Sequence, residues 1–98
     1  MKTIVINGKS ITTKPINFEA ICELEDMGFE VLSVRRRAFS SIRSAFAYHS
    51  GFSLDEASSQ IEEHIKNGGR VEDFTPFLEA ITESDFFKAL TQKNEKTE

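Results

Sequence analysis

The residues best suited to chemistry are four arginines that lie close together, Arg35, Arg36, Arg37 and Arg43. A guanidinium group binds a phosphate or a carboxylate through two parallel hydrogen bonds, so these side chains can grip an anionic partner. A helix turns by about 100° per residue, so three consecutive arginines cannot share one face. Three interpretations follow: solvated surface charges, a contact with an acidic protein or a neighbouring subunit, and a phosphate grip for nucleic acid.

Few other residues suit catalysis. Cys22 is the only cysteine, and it would act as a nucleophile only with a base such as His49 beside it. His49 lies within the apolar arc of a predicted helix, which favours a core histidine with hydrogen-bonded ring nitrogens. We expect Cys22 to be buried as a small hydrophobic residue. The sequence therefore predicts no catalytic residue.

Metal and cofactor motifs are not found either. Glu62, Glu63 and His64 are adjacent, so on a helix they point apart and lack the spacing of a helical metal site. Gly68 and Gly69 are not followed by the lysine and hydroxyl residue of a phosphate-binding loop. We predict no metal, no cofactor and no enzymatic activity.

Composition indicates a small globular domain. The 98 residues suit one domain, and 39% hydrophobic with 29% charged residues is neither a disordered nor a membrane composition. The net charge of -4 argues against a uniformly polyanionic partner. One cysteine permits no internal disulfide, and the chain shows neither a signal peptide nor the ~20 apolar residues of a membrane span. A cytosolic protein is expected.

The chain opens with a predicted β-hairpin. Asn7 and Gly8 tolerate positive φ at both central positions of a two-residue turn, between strands at residues 3–6 and 9–13. Two strands alone are only marginally stable, so one face of the ribbon should lie on the helices or join the sheet of a partner. The exposed strand edge is a candidate contact.

Four helices are predicted to follow the hairpin. Asn17 caps the first and Gly28 ends it, while Ser53 and Glu56 form a capping box for the third. The predicted ranges are 18–27, 34–50, 54–67 and a fourth helix from near Asp73.

Periodicity assigns one apolar face to each helix. In the second helix this face holds Phe39 and Phe46, and the opposite arc holds Ser41, Ser44 and Tyr48. The core stripe of the third helix is Leu54, Ala57, Ile61 and Ile65. The fourth helix offers Phe74, Phe77, Leu78 and Ile81.

The C-terminal segment is ambiguous. On an uninterrupted fourth helix, Phe86, Phe87 and Leu90 would lie opposite the stripe that precedes them. Either residues 83–85 break the helix and a short fifth helix folds back on the core, or the three side chains form an exposed apolar patch. Residues 91–98 are predicted to be a polar, disordered tail.

These elements predict an α+β fold: an N-terminal β-hairpin followed by four or five packed α-helices in a single domain. The domain covers residues 1–90, and the tail covers residues 91–98.

The order of these motifs resembles the tail assembly chaperones of long-tailed phages and of prophages of Gram-positive bacteria. The resemblance covers about residues 2–90 and depends on the order and spacing of short segments. These segments are IVINGK at 4–9, INF at 16–18, LEDMG at 24–28, IRSAFA at 42–47, SLDEA at 53–57, IEE at 61–63 and LEAITESDFF at 78–87.

The resemblance implies a nonenzymatic role in the cytoplasm of the bacterial host. Several copies would coat the tape measure protein until tail tube protein displaces them, so the chaperone would be absent from the mature virion. The family often has a frameshift-extended form that recruits tube protein. A homo-oligomer is expected, with no membrane partner.

The predicted protein-binding residues come from the surface argument and not from the family. They are Phe86, Phe87, Leu90, Arg35, Arg36, Arg37 and Arg43. The alternative from another class is a small nucleic-acid-binding regulator that uses the arginine cluster, and it predicts salt-sensitive DNA binding.

Overall fold

An N-terminal hairpin leads into a helical bundle in the computed structural model, which describes residues 2–31 and 38–96. The elements of these two ranges are β1 (Thr3–Ile6), β2 (Lys9–Thr12), α1 (Phe18–Asp26), α2 (Ala38–Ser50), α3 (Leu54–Lys66), a 3₁₀ helix (Val71–Phe74), α4 (Thr75–Thr82) and α5 (Asp85–Lys96). The predicted α+β class, with a hairpin followed by packed helices, is confirmed.

The hairpin is closed by the predicted turn and fixed to the helices at its tip. Asn7 and Gly8 have φ values of 50° and 82°, the left-handed conformation that such a turn needs. The Asn7 side-chain amide donates to the backbone oxygen of Gln60 at 3.0 Å and to its Oε1 at 2.7 Å. Ile6 and Ile11 are buried, so one face of the ribbon lies on the helices.

Helix α1 has the predicted caps. The Asn17 side chain accepts from the backbone N–H of Ala20 at 2.9 Å, and Gly28 has a φ of 92° just beyond the C-terminal end. The buried face consists of Ala20, Ile21 and Leu24. Cys22 is exposed, so its predicted burial is wrong: about 160° of helical rotation separates it from Leu24.

Helix α2 is buried on two sides, which one-face periodicity did not predict. Ser41, Ser44 and Tyr48 were assigned to the solvent side, yet they are 2%, 0% and 8% exposed. The Ser44 hydroxyl donates to the carbonyl oxygen of Met27 at 3.2 Å, just after α1. Because α1 packs on this side while α3 and α4 pack elsewhere on α2, the helix is enclosed. Its predicted start at residue 34 lies outside the described residues.

Helix α3 starts from the predicted capping box. The Glu56 N–H donates to the Ser53 hydroxyl, and the Ser53 N–H donates to a Glu56 carboxylate oxygen, both at 3.1 Å. Ala57 is fully buried. Ile65, assigned to the core stripe, is 43% exposed because it lies in the last turn of the helix.

A 3₁₀ helix precedes α4, so α4 begins at Thr75 and not near Asp73 as predicted. The Asp73 carboxylate accepts from the Arg70 N–H at 3.0 Å and lies 2.7 Å from Nε2 of His64. The hydrogen bond from His64, followed by the Arg70 N–H, lowers the pKa of Asp73. Phe74, Phe77 and Ile81 are fully buried, as the stripe predicted.

Ser84 separates α4 from α5 and confirms the predicted fifth helix. Its hydroxyl donates to the Ile81 carbonyl at 2.7 Å and accepts from the Phe87 N–H at 3.2 Å, so one side chain closes α4 and caps α5. The backbone stays helical through Lys96, where the sequence predicted a disordered tail. Neither glycine nor proline occurs between Thr91 and Lys96 to stop the helix.

His49 joins the end of the hairpin to α4. It is 3% exposed, and its Nδ1 accepts from the backbone N–H of Lys14 at 2.9 Å. Nε2 lies 3.1 Å from the carbonyl oxygen of Phe77 and must carry the proton that it donates there. The predicted core histidine is therefore confirmed. Burial lowers the pKa of His49 to about 4, because the charged form is poorly solvated.

The lowered pKa of His49 predicts a loss of stability in acid. The folded state holds the neutral ring, so this contribution is complete above pH 6.5 and declines as the pH falls toward about 4. The unfolding free energy should drop by roughly 3 kcal/mol over that window from this residue alone. Urea unfolding of the protein and of a His49→Gln variant at several pH values checks it. Identical pH dependence in the two proteins would contradict this role of His49.

Candidate protein-binding surface

An open groove of about 300 Å³ lies between α2 and α3. Its lining consists of Phe39, Ser40, Arg43, Ser58, Ile61 and Glu62. The spacing of three residues between Ser58 and Ile61, and of four between Phe39 and Arg43, places each pair on one helical face. The helices thus present a mixed apolar and charged surface.

Phe39 is the most exposed large hydrophobic side chain of the described residues, at 75%. The sequence assigned it to the buried arc of α2. The assignment is wrong because Phe39 lies in the first described turn of α2, whereas Ala45 and Phe46, one to two turns later, are fully buried. The exposed Phe39 ring and the half-buried Ile61 side chain form the apolar part of the groove.

Arg43 lies on the same surface and is half-buried. Its Nε is enclosed and makes no hydrogen bond. A buried N–H without a partner costs about 1–3 kcal/mol. Of the predicted binding residues that the structure describes, only Arg43 lines the groove.

The other three arginines of the predicted cluster, Arg35, Arg36 and Arg37, lie outside the described residues. Their sequence positions directly precede α2 and Phe39. In the described ranges, the positive charge of the groove therefore comes from Arg43, with Glu62 on the facing helix.

Phe86, Phe87 and Leu90 do not form an exposed patch. Phe87 is 7% exposed and belongs to the core, while Phe86 and Leu90 are half-buried and pack against it. Helix α5 folds back because Ser84 ends the preceding rod and resets the helical phase. Of the two alternatives for this segment, the structure contains the short fifth helix folded back on the core. The prediction that Phe87 binds a partner is therefore wrong, because Phe87 is a core residue.

A second aromatic surface lies at the start of α1. Phe18 is 66% exposed, and its ring meets that of Phe86 edge to face, with centroids 6.4 Å apart. Glu19, Glu23 and Asp26 are exposed on the same helix.

The residues weighed for catalysis are engaged elsewhere. Both ring nitrogens of His49 bind backbone groups, so this histidine is no free base for Cys22. Across residues 2–31 and 38–96, no group of three His, Cys, Asp or Glu side chains is arranged to hold a metal ion. Nor does any helix in these ranges have the length and apolar character to cross a bilayer.

A second cleft, of about 330 Å³, lies between the end of the hairpin and α4. Its charged lining residues are Lys2, Lys14, Glu79 and Glu83. None of the exposed large hydrophobic side chains of the described chain lines it. The groove between α2 and α3 is therefore the better candidate for a protein contact.

Sequence reasoning missed most of this groove. Ser58 and Ile61 reach it only because α3 packs beside α2, which no local pattern specifies. The sequence did contain a signal for the exposure of Phe39. This residue lies near the N-terminal end of the apolar stripe, just after the charged run Arg35 to Arg37.

Comparison of the chain with protein-family models, with curated proteins and with solved structures gives no match.

The placement of the two adjacent phenylalanines predicts unequal effects of truncation. Phe87→Ala should lower the free energy of unfolding by about 3 kcal/mol, because it leaves a cavity in the core. Phe86→Ala should cost about 1 kcal/mol, because its ring is half-exposed. Chemical denaturation of both variants measures the difference. Equal losses, or a larger loss for Phe86→Ala, would contradict the fold-back of α5.

Proposed function

We propose that this protein is a tail assembly chaperone of a long-tailed phage or prophage. It binds tape measure protein in the cytoplasm of the bacterial host, helps to recruit tail tube protein, and is not retained in the virion. Support comes from the ordered sequence resemblance and from the hairpin-and-helices architecture in which those segments lie. The observation that carries the proposal is Phe39, 75% exposed at a groove that also holds Arg43.

The groove suits one face of an amphipathic helix. An apolar side chain of the tape measure protein enters between α2 and α3 and is covered by the Phe39 ring. A carboxylate one helical turn away on the same client face reaches the guanidinium group of Arg43. The apolar faces of the client are thereby shielded from water before the tail tube forms around it.

The energy of one such contact is small. Burying the exposed part of Phe39 stabilises the complex by about 2 kcal/mol. Association costs at least ~4 kcal/mol of lost rotational and translational freedom, so one groove holding one side chain does not suffice. Several copies of the chaperone along one long client, in contact with each other, would supply the missing affinity.

Two exposed phenylalanines provide a matched test. In co-expression with tape measure protein, Phe39→Ser should weaken binding per site by about 30-fold, the equivalent of 2 kcal/mol. Phe18→Ser removes a similarly exposed ring outside the groove and should leave binding unchanged. Phe39→Ser should keep the free energy of unfolding within about 0.5 kcal/mol of the unmodified protein. Phe18→Ser should lower it by about 1 kcal/mol, because its ring meets that of Phe86 edge to face. Affinity capture followed by light scattering of the soluble complex measures binding and copy number.

Three outcomes would contradict the proposal. The tape measure protein could stay insoluble with the unmodified chain, which would exclude chaperone action on that client. Phe39→Ser could bind as well as the unmodified protein, which would exclude the groove. Salt-sensitive DNA binding without client binding would favour the nucleic-acid regulator instead.

A further inference from the structure

The outer edge of β1 carries backbone groups that the hairpin does not use. The N–H of Thr13 donates to the carbonyl oxygen of Lys2 at 2.8 Å, which makes Lys2 and Thr13 a hydrogen-bonded pair. Such pairs alternate along an antiparallel ladder, so Thr3 opposite Thr12 and Val5 opposite Ser10 are non-hydrogen-bonded pairs. The close approach of the Thr3 and Thr12 hydroxyls, at 3.1 Å, agrees with this assignment. Thr3 and Val5 therefore direct their N–H and C=O groups away from β2.

Within β1, this edge has no lysine, proline or bulge of the kind that usually prevents strand pairing. Natural edge strands carry lysine, proline or a bulge, whereas β1 has the sequence TIVI and a continuous register. All four residues favour extended structure, and the Val5 side chain is 61% exposed. The opposite edge belongs to β2, which begins with Lys9 and packs against α2.

We propose that β1 pairs with β1 of a second copy of this chain, antiparallel, about a twofold axis at Ile4. Thr3 of one copy then lies opposite Val5 of the other, and the symmetry repeats the pair. The outward groups of each edge thus find complementary groups, with about four backbone hydrogen bonds across the axis. The two hairpins form one continuous sheet.

Side chains and charge also favour a second copy as the occupant of this edge. Val5 of each copy packs beside Thr3 of the other on the outer face, and the half-buried Ile4 residues meet on the inner face. No charged residue occurs within β1, so the twofold pairing sets no like charges of the strand against each other.

The contact is isologous and closes as a dimer. It involves four residues per copy and is smaller than a standard protein interface, so dimerisation should depend on concentration. No β1 residue lines the groove between α2 and α3. The dimer contact and the groove therefore use different residues, and a substitution in the groove that abolishes client binding would leave the dimer intact.

Two proline substitutions distinguish the two edges of the hairpin. Val5→Pro removes an N–H that points away from β2, so it should raise the dimer dissociation constant at least tenfold while the intramolecular ladder remains. Ser10→Pro makes the same change on the β2 edge and should leave dimerisation unchanged. Sedimentation equilibrium from micromolar to millimolar protein measures both constants, with circular dichroism as the check on folding.

Val5→Lys is a second variant that tests the same dimer contact if Val5→Pro does not fold. It keeps the backbone N–H, and the exposed position tolerates a charge, but the two lysines lie near each other across the axis and should also weaken the dimer at least tenfold. In amide hydrogen exchange of the unmodified protein, protection of Thr3 and Val5 should rise with concentration while that of Ser10 and Thr12 stays constant. A monomer at millimolar concentration, a dimer unaffected by Val5→Lys, or an equal effect of Ser10→Pro would overturn the proposal.

Discussion

The packing of aromatic rings around Phe46 is the constraint on which the rest of the structure depends. The Phe46 side chain is fully buried in the middle of α2, and its ring lies 5.0 to 5.7 Å from the rings of Phe52, Phe74 and Phe77. These rings belong to the segment before α3, the 3₁₀ helix and α4, so one side chain gathers three parts of the chain. Offset and edge-to-face contacts of this kind add about 0.5–1.5 kcal/mol per pair to the burial itself.

The same helix sets the position of the hairpin and of the candidate surface. His49, one turn after Phe46, binds the backbone at Lys14 and at Phe77 and so holds the end of β2 against α4. The first described turn of α2 lies away from this cluster and exposes Phe39. Core residues thus occupy the later turns of the helix, and the groove is built on its start.

Local features of the fold could be predicted from the sequence because their causes are local. The Asn7-Gly8 turn, the Asn17 cap and the Ser53 capping box each need only a few adjacent residues. The two-sided burial of α2 could not be predicted, since periodicity assumes one buried face. Ser41, Ser44 and Ala47 are small enough to let neighbouring helices approach, whereas periodicity placed the two serines on the arc opposite the apolar face.

The candidate site could be predicted only in part for the same reason. Arg43 was named from the sequence because a guanidinium group can bind a carboxylate or a phosphate wherever it is exposed. Phe39 was assigned to the core and is exposed, whereas Phe87 was named as a binding residue and is buried. Both residues are hydrophobic, and their burial depends on where they lie relative to the ends of their helices. Phe87 is buried because the Ser84 cap ends α4 and lets α5 fold back onto the core.

The central claim is that a client helix binds at the start of α2, and hydrogen exchange in the presence of tape measure protein tests it most directly. The account predicts increased protection in residues 38–43 and 58–62, with little change in α1. Protection confined to the Phe18 end of α1 and to α5, or no change anywhere in the chain, would contradict it.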